Sequence, residues 1–225
     1  MSEEERRTLP ARILKVMLPP LALIVAVLGS ILTGVATATE SASIGAVGAL
    51  ILAGIKRQVN VAMLRHTCRA TMSMSTMIFV ILIGAGVFSQ VFRGLGGDKV
   101  ADDLLGAIPG GQFGAVLLVL ALMLVLGFFI DTFEIIFIVV PIFAPALFKL
   151  GVDPVWLGVM MGIILQTSYL TPPFGFAIFY LQGVAPDLPV QAIYRGVVPF
   201  VILQLAAAAL VWIWPELATW LPKKL

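Results

Sequence analysis

The chain has 225 residues, of which 60% are hydrophobic and 12% charged, and its mean hydropathy is +1.09. Soluble domains are roughly 45–50% apolar and about 25% charged, so the composition excludes a water-soluble fold and indicates an integral membrane protein. The net charge of +2 is too small to indicate a nucleic-acid binder, and Lys and Arg lie in short runs between apolar stretches.

The first half of the chain predicts membrane helices joined by one basic segment. Residues 1–12 are interpreted as a cytoplasmic N-terminal segment, because Arg6, Arg7 and Arg12 precede the first apolar run. That run has no small-residue cleavage site, so a secretory signal peptide is not expected. Residues 13–112 are assigned to scaffold and core helices. Within them, the basic segment 56–69 should be cytoplasmic by the positive-inside rule, and an interfacial helix or a solvated loop fits it equally well. The spans predicted there are Ile13–Thr33, Ala36–Ile55 and Met72–Phe92.

The charges of the connections predict the topology. The stretch 93–112 contains three aspartates against one Arg and one Lys, so it is expected outside, together with residues 149–154. The loop near Arg195 is expected on the cytoplasmic side, which sends the carboxyl terminus outward. Because residues 93–112 and 149–154 are both expected outside, the apolar run between them must return to the side from which it enters.

That apolar run, residues 113–148, is predicted to form a re-entrant helical hairpin. Two full spans need about 40 residues plus a turn, and the run is shorter and has polar residues at its centre. Its tip is expected at Gly127 to Thr132. Broken backbone at membrane depth is tolerated where it is buried in protein or lines a cavity, so the tip is a candidate site.

Residues 149–225 are predicted to hold a broken helix and a terminal span, Val197–Trp214. The apolar run Val155–Gln182 is interrupted in its middle by hydroxyl residues, by prolines that lack amide hydrogens and by a glycine. The expected fold is therefore all-α: a polytopic helix bundle with a re-entrant hairpin and a broken helix. No phosphate-binding loop, serine-nucleophile elbow or H-E-x-x-H pair is present, so an enzyme is not expected.

Both interruptions offer oxygen atoms that suit Na⁺, a hard cation that secondary transporters bind at interrupted helices. An ionised carboxylate in hydrocarbon costs at least ~2.5 kcal/mol, so Asp131 is expected in an ion or substrate pathway. A hairpin tip that simply reaches water is the alternative. The candidate Na⁺ ligands are Thr167, Thr171 and Asp131. The full candidate binding set is Gly127, Asp131, Thr132, Thr167, Ser168, Thr171, Pro172, Pro173 and Gly175.

A third polar group, Thr39, Glu40 and Ser41, begins a run of small residues. A helix cap is one reading of this group, since Thr or Ser before such a run can cap a new helix. The other reading is that a buried acid and its hydroxyl neighbours shape a transport domain.

Three stretches in this order resemble the large membrane subunit, a DctM-like permease, of the tripartite ATP-independent periplasmic (TRAP-type) transporters. They are GVATATESASIGAVGA at 34–49, LGFFIDTFEIIFIVVPIFAP at 126–145 and LTPPFGF at 170–176. In the first, Ala38 stands where the family pattern has proline. The resemblance covers nearly the whole chain but only the carboxyl-terminal half of the family's protein.

The resemblance implies one half of an inverted-repeat, elevator-type transporter of the bacterial inner membrane. It implies Na⁺-coupled uptake of a small organic solute, commonly a carboxylate, with no cofactor beyond Na⁺ as the coupling ion. The implied partners are a polypeptide with the missing amino-terminal half, a small membrane subunit and a periplasmic substrate-binding protein. A non-transporting membrane scaffold subunit, or an inactive fragment of a split permease, is the alternative.

Overall fold

The structure, a computed structural model, describes residues 3–171, 175–184 and 188–224, and these ranges are helical with no strand. They form two compact units, residues 1–74 and 75–225, and the boundary lies inside one long helix. The helices are α1 Glu3–Leu32, α2 Ala38–Ile55, α3 Val61–Gly94, α4 Gly97–Gly106, α5 Gly111–Leu126, α6 Thr132–Glu134, α7 Val140–Lys149, α8 Pro154–Leu170, α9 Phe176–Val184, α10 Val190–Ile213 and α11 Glu216–Thr219.

Within the described ranges, four helical stretches are long and apolar enough to cross a membrane, and a fifth is possible if α4 and α5 form one bent span. They are Ala38–Ile55, Val61–Gly94, Thr132–Lys149 and Val190–Ile213. Two shorter apolar helices, Val16–Leu32 and Pro154–Leu170, accompany them. These helices confirm the predicted all-α membrane fold.

The first unit contains the pair α1 and α2, which pack closely because small residues line the contact. A Cβ added at Gly48 would overlap Leu23 Cδ1, and one at Gly45 would lie 3.4 Å from Val27. The Ser30 and Ser41 hydroxyls are 2.8 Å apart across the pair, and Ser41 is fully buried. Small residues and hydroxyl bonds are the usual means of joining helices in lipid.

Two sequence-based boundaries change in the structure. The helix α1 begins at Glu3 and ends at Leu32, so it starts before the predicted span Ile13–Thr33. The basic segment 56–69 is a turn only to residue 60, where the Asn60 side chain accepts a bond from Met63 N as α3 begins. A solvated loop over the whole segment is therefore wrong, because Asn60 starts a helix that continues to Gly94.

In the second unit, α5 and α7 are the two arms of a helical hairpin. The chain bends by 119° between α4 and α5, and the residues between α5 and α6 break the helix again. At the open end of the hairpin, the Lys149 ammonium donates to Asp102 Oδ2 at 2.6 Å. Because α4 precedes α5 and Lys149 ends α7, this ion pair holds both ends of the hairpin at one side.

Between α6 and α7 the chain forms a π-helical turn over Ile135–Val139, which the sequence analysis did not predict. Val140 N donates to the Ile135 carbonyl, five residues back, in place of the usual four. Pro141 follows at once and has no N–H to offer the Phe137 carbonyl. The π-helical turn therefore lies where proline removes the regular helical bond to the Phe137 carbonyl.

The core of the second unit lies between α5, α7, α8 and α10. Its fully buried side chains include Met123, Leu147, Leu157 and Met160. Trp156 near the start of α8 donates from Nε1 to the Val211 carbonyl at 3.0 Å, so the carboxyl end of α10 lies beside the amino end of α8. The carboxyl end of α10 therefore lies at the same end of the helix bundle as residues 149–154.

Candidate functional site at two helix breaks

The first break separates α5 from α6 at residues 127–131. The Leu126 carbonyl accepts both Phe129 N and Ile130 N at 2.9 Å, which closes a tight turn at the end of α5. Asp131 is extended, with φ −67° and ψ 151°, and occupies the N-cap position of α6. Its carboxylate makes no capping bond to the helix, so its oxygens are free to take another partner.

The second break separates α8 from α9. Thr171 is extended, with φ −95° and ψ 136°, and ends α8. Gly175 is buried with φ +27°, a left-handed value that favours glycine, and α9 begins at the next residue. The predicted interruption at Thr171 to Gly175 is confirmed in position. Pro172 and Pro173 lie outside the described residues.

The two breaks meet at Gly127 and Ser168. A Cβ added at Gly127 would overlap the Ser168 hydroxyl oxygen and lie 2.7 Å from Ser168 Cβ. Ser168 is 1% exposed. The turn at the end of α5 therefore rests directly on the last turns of α8, and only a glycine fits between them. Two candidate residues from separate sequence motifs are thus in contact.

Three hydroxyl groups on α8 bond back to the helix. Thr167 Oγ1 donates to the Ile163 carbonyl, Ser168 Oγ to the Leu165 carbonyl and Thr171 Oγ1 to the Thr167 carbonyl, each at 2.7 Å. A hydroxyl has one proton and two acceptor lone pairs, so each oxygen keeps lone pairs after donating. These bonds fix the three hydroxyl protons on helix carbonyls and leave oxygen lone pairs as the acceptors available to a further ligand.

Asp131 lies within electrostatic range of Tyr169 on α8, and so does Tyr180 of α9. Within the ranges described, no hydrogen bond joins Asp131 to Thr167 or Thr171. Asp131 and Thr132 are both half-buried.

Sequence reasoning passed over Tyr169 and Tyr180, which stand on either side of the second break. Tyrosine combines an apolar ring with a polar tip, and such side chains are common where a packed interior meets water. The available signal was the position of Tyr169, two residues before Thr171 in the interrupted run. Both tyrosines therefore join the candidate site.

The Glu40 group belongs to the first unit and forms a helix cap. Thr37 is the N-cap of α2: its hydroxyl accepts from Glu40 N at 3.3 Å, and Glu40 Oε2 accepts from Thr37 N at 2.8 Å. This reciprocal pair is a capping box. The capping interpretation is confirmed, with Thr37 rather than Thr39 as the cap, and the α2 start needs no proline at Ala38.

Comparison with known proteins identifies the family. Residues 1–217 match the family described as "Tripartite ATP-independent periplasmic transporter, DctM component". The chain belongs to this family. The resemblance read from the three motifs is thereby confirmed, and the family is one of transporter components rather than enzymes. As a TRAP-type permease chain with several apolar spans, it is a multi-pass protein of the bacterial inner membrane.

Three relatives show how much of a permease the chain represents. It is 32% identical over 216 residues to the ectoine/5-hydroxyectoine TRAP transporter large permease protein UehC of Ruegeria pomeroyi, covering 94% of this chain and 49% of UehC. The C4-dicarboxylate TRAP transporter large permease protein DctM of Pseudomonas aeruginosa is 28% identical, over 90% of this chain and 47% of its own. The sialic acid TRAP transporter permease protein SiaT of Haemophilus influenzae is 28% identical, over 88% of this chain and 32% of the length of SiaT. The chain spans about half the length of the large permeases and about a third of SiaT.

Proposed function

We propose that this chain works as part of a TRAP-type permease and takes up a small organic anion in symport with Na⁺. The contact between Gly127 and Ser168 carries the proposal, because it joins the two interrupted helices into one polar region inside an apolar bundle. Intramembrane helix breaks expose backbone polar groups, and secondary transporters use them for substrates and ions. A scaffold that only held helices together would not require such a region.

Na⁺ suits the oxygen atoms near the contact of Gly127 with Ser168, which is called the crossing of the two helix breaks. The hydroxyl oxygens of Thr167 and Thr171 keep lone pairs after bonding to the helix, and the Asp131 carboxylate is not used as a cap. Hard cations take oxygen ligands, and a nearby carboxylate supplies the neutralising charge. Binding Na⁺ would also lower the cost of holding Asp131 ionised between helices.

The names of several relatives suggest the substrate class. Ectoines, C4-dicarboxylates and sialic acid each carry a carboxylate, and isethionate, which names a further relative, carries a sulfonate in its place. A carboxylate is attracted to exposed amide N–H groups at helix breaks and to a bound cation. A Na⁺ ion at the crossing would therefore favour an anionic substrate.

Three partners follow from the same proposal. The chain spans about half of UehC, so the permease also needs the other half, which is a separate polypeptide if the permease is split. A small membrane subunit extends the scaffold, and a periplasmic substrate-binding protein delivers the solute.

Reconstitution tests the proposal. The chain is placed in proteoliposomes with the polypeptide carrying the other half, the small subunit and the binding protein, and uptake of labelled C4-dicarboxylates, ectoine and sialic acid is followed. We expect one of these solutes to accumulate only with an inward Na⁺ gradient. Accumulation of one of them with a K⁺ gradient alone would overturn the coupling, and no uptake of any of them by the complete set would favour the scaffold.

A further inference from the structure

A second polar pocket lies at the open end of the hairpin, away from the helix breaks. It has a volume of about 270 Å³ and lies between the last turn of α3, the start of α4 and the carboxyl end of α7. Its polar lining consists of Arg93, Asp98, Asp102 and Lys149, and its apolar floor is formed by Ile142, Pro145 and Ala146. We name it the α3–α4–α7 pocket.

The pocket is positioned at the level of lipid headgroups. Arg93 lies in the last turn of the apolar stretch Val61–Gly94, and Lys149 is the last residue of the stretch Thr132–Lys149. The hydrocarbon core gives way to the headgroup layer about 15 Å from the bilayer midplane, and charged side chains at the ends of apolar spans commonly lie in that layer. Two apolar stretches that end in one pocket are the arrangement expected of a site there.

The charges of the pocket are divided into one closed pair and one open pair. Lys149 and Asp102 are joined at 2.6 Å. In the part of the chain that the structure describes, neither Arg93 nor Asp98 makes a direct salt bridge, although the Asp98 carboxylate is also within electrostatic range of the Lys149 ammonium. One guanidinium and one carboxylate thus face the same cavity and are available to a ligand.

The geometry of the open pair is held by glycine packing. A Cβ at Gly97 would lie 2.6 Å from Phe92 Cδ1, so the first residue of α4 packs directly against the aromatic ring that precedes Arg93. Phe92 in turn stacks on Phe88 with ring centroids 6.1 Å apart. This packing fixes the start of α4, and with it Asp98, beside the end of α3.

We propose that the α3–α4–α7 pocket binds the zwitterionic headgroup of phosphatidylethanolamine. The planar Arg93 guanidinium suits a phosphate group. The Asp98 carboxylate accepts hydrogen bonds from the primary ammonium of phosphatidylethanolamine. The quaternary ammonium of phosphatidylcholine has no N–H to donate, and phosphatidylglycerol has no ammonium. The apolar floor continues towards the hydrocarbon and receives the glycerol and first methylenes. This inference does not depend on transport activity.

Native mass spectrometry of the full chain, released from detergent after controlled delipidation, tests the site. Equal amounts of phosphatidylethanolamine, phosphatidylglycerol and phosphatidylcholine are offered. We expect one phosphatidylethanolamine to be retained with roughly tenfold preference, about the effect of one charge-assisted hydrogen bond. Arg93→Gln should lose the retained lipid, and Asp98→Asn should abolish the preference over phosphatidylglycerol.

Lys99→Gln is the matched control, because Lys99 is exposed on the same turn of α4 but does not line the pocket. If Arg93→Gln does not stay monodisperse, Arg93→Lys keeps the charge and should give intermediate retention. Equal retention in Arg93→Gln and Lys99→Gln, or a preference for phosphatidylglycerol, would overturn the proposal. It would also fail if Arg93→Gln weakened docking of the substrate-binding protein while lipid retention stayed unchanged.

Discussion

Gly127 at the end of α5 lies against the buried side chain of Ser168 of α8, which leaves no room for a Cβ at position 127. The two residues come from different apolar runs, and their contact brings two separate helix breaks into one region. Its packing can be tested independently of transport.

Gly127→Ala should destabilise the protein by about 1–3 kcal/mol, the range for overpacking in a close-packed interior. Unfolding in detergent micelles measures the change. The matched control is Gly158→Ala on α8, where an added Cβ meets nothing within 4 Å. That variant should be neutral, or more stable by up to about 1 kcal/mol, because alanine favours helix.

The double variant Gly127→Ala with Ser168→Gly extends this test. Removing the serine side chain clears the space that the new methyl group needs, so the double variant should recover part of the lost stability. Simple additivity of the two single changes would show that the residues are not coupled, contrary to the contact described above.

Trp156→Phe should weaken the attachment of α10 to α8. The substitution keeps the ring packing against Trp212, at 5.4 Å between centroids, but removes the bond to the Val211 carbonyl. We expect a loss of about 1 kcal/mol, the net value of one such bond plus the cost of an unpaired carbonyl. Trp214→Phe, at an exposed position, should leave stability unchanged in the same unfolding experiment.

Thr37→Ala should destabilise the pair α1 and α2 by about 1 kcal/mol, because it removes the N-cap of α2. Thr37→Ser keeps the hydroxyl that accepts from Glu40 N and should be close to wild type. Proteolysis of the first unit in mild detergent measures the effect. If Thr37→Ala resists cleavage as well as Thr37→Ser does, the capping box contributes nothing measurable.

The hairpin predicts one-sided labelling of its two ends. In a Cys68→Ser background, single cysteines at Asp103 and Leu150 should react with a membrane-impermeant maleimide from the same face, and a cysteine at Arg195 from the other. The ion pair between Asp102 and Lys149 holds the first two positions on one side. Reaction of positions 103 and 150 from opposite faces would mean that the run between them crosses the membrane.

Much of this architecture could be predicted from the sequence because it depends on local patterns. The apolar run 113–148 is shorter than the roughly 40 residues and turn that two full spans need, and the polar residues near Asp131 locate its break. The prolines and Gly175 similarly locate the end of α8. At each of these breaks, a few residues within the run are enough to interrupt the helical hydrogen bonds.

Other features depend on distant neighbours and could not be predicted. The meeting of Gly127 with Ser168 and the pair of Lys149 with Asp102 join residues far apart in the chain. A capping side chain at Asn60, rather than charge, decides where α3 begins. Tyr169 joins the candidate site because Asp131 lies within electrostatic range of it, and that proximity depends on how the hairpin packs.

The Na⁺ dependence of uptake in the reconstituted permease tests the central claim most directly. Thr167→Ala and Thr171→Ala should each raise the Na⁺ concentration for half-maximal uptake by roughly tenfold, the effect of losing one favourable contact of about 1.4 kcal/mol. Thr167→Ser and Thr171→Ser keep the hydroxyls and should stay near wild type, while Asp131→Asn should lose Na⁺ stimulation. An unchanged Na⁺ response in Thr167→Ala, Thr171→Ala and Asp131→Asn alike would contradict ion coupling at the crossing of the two breaks.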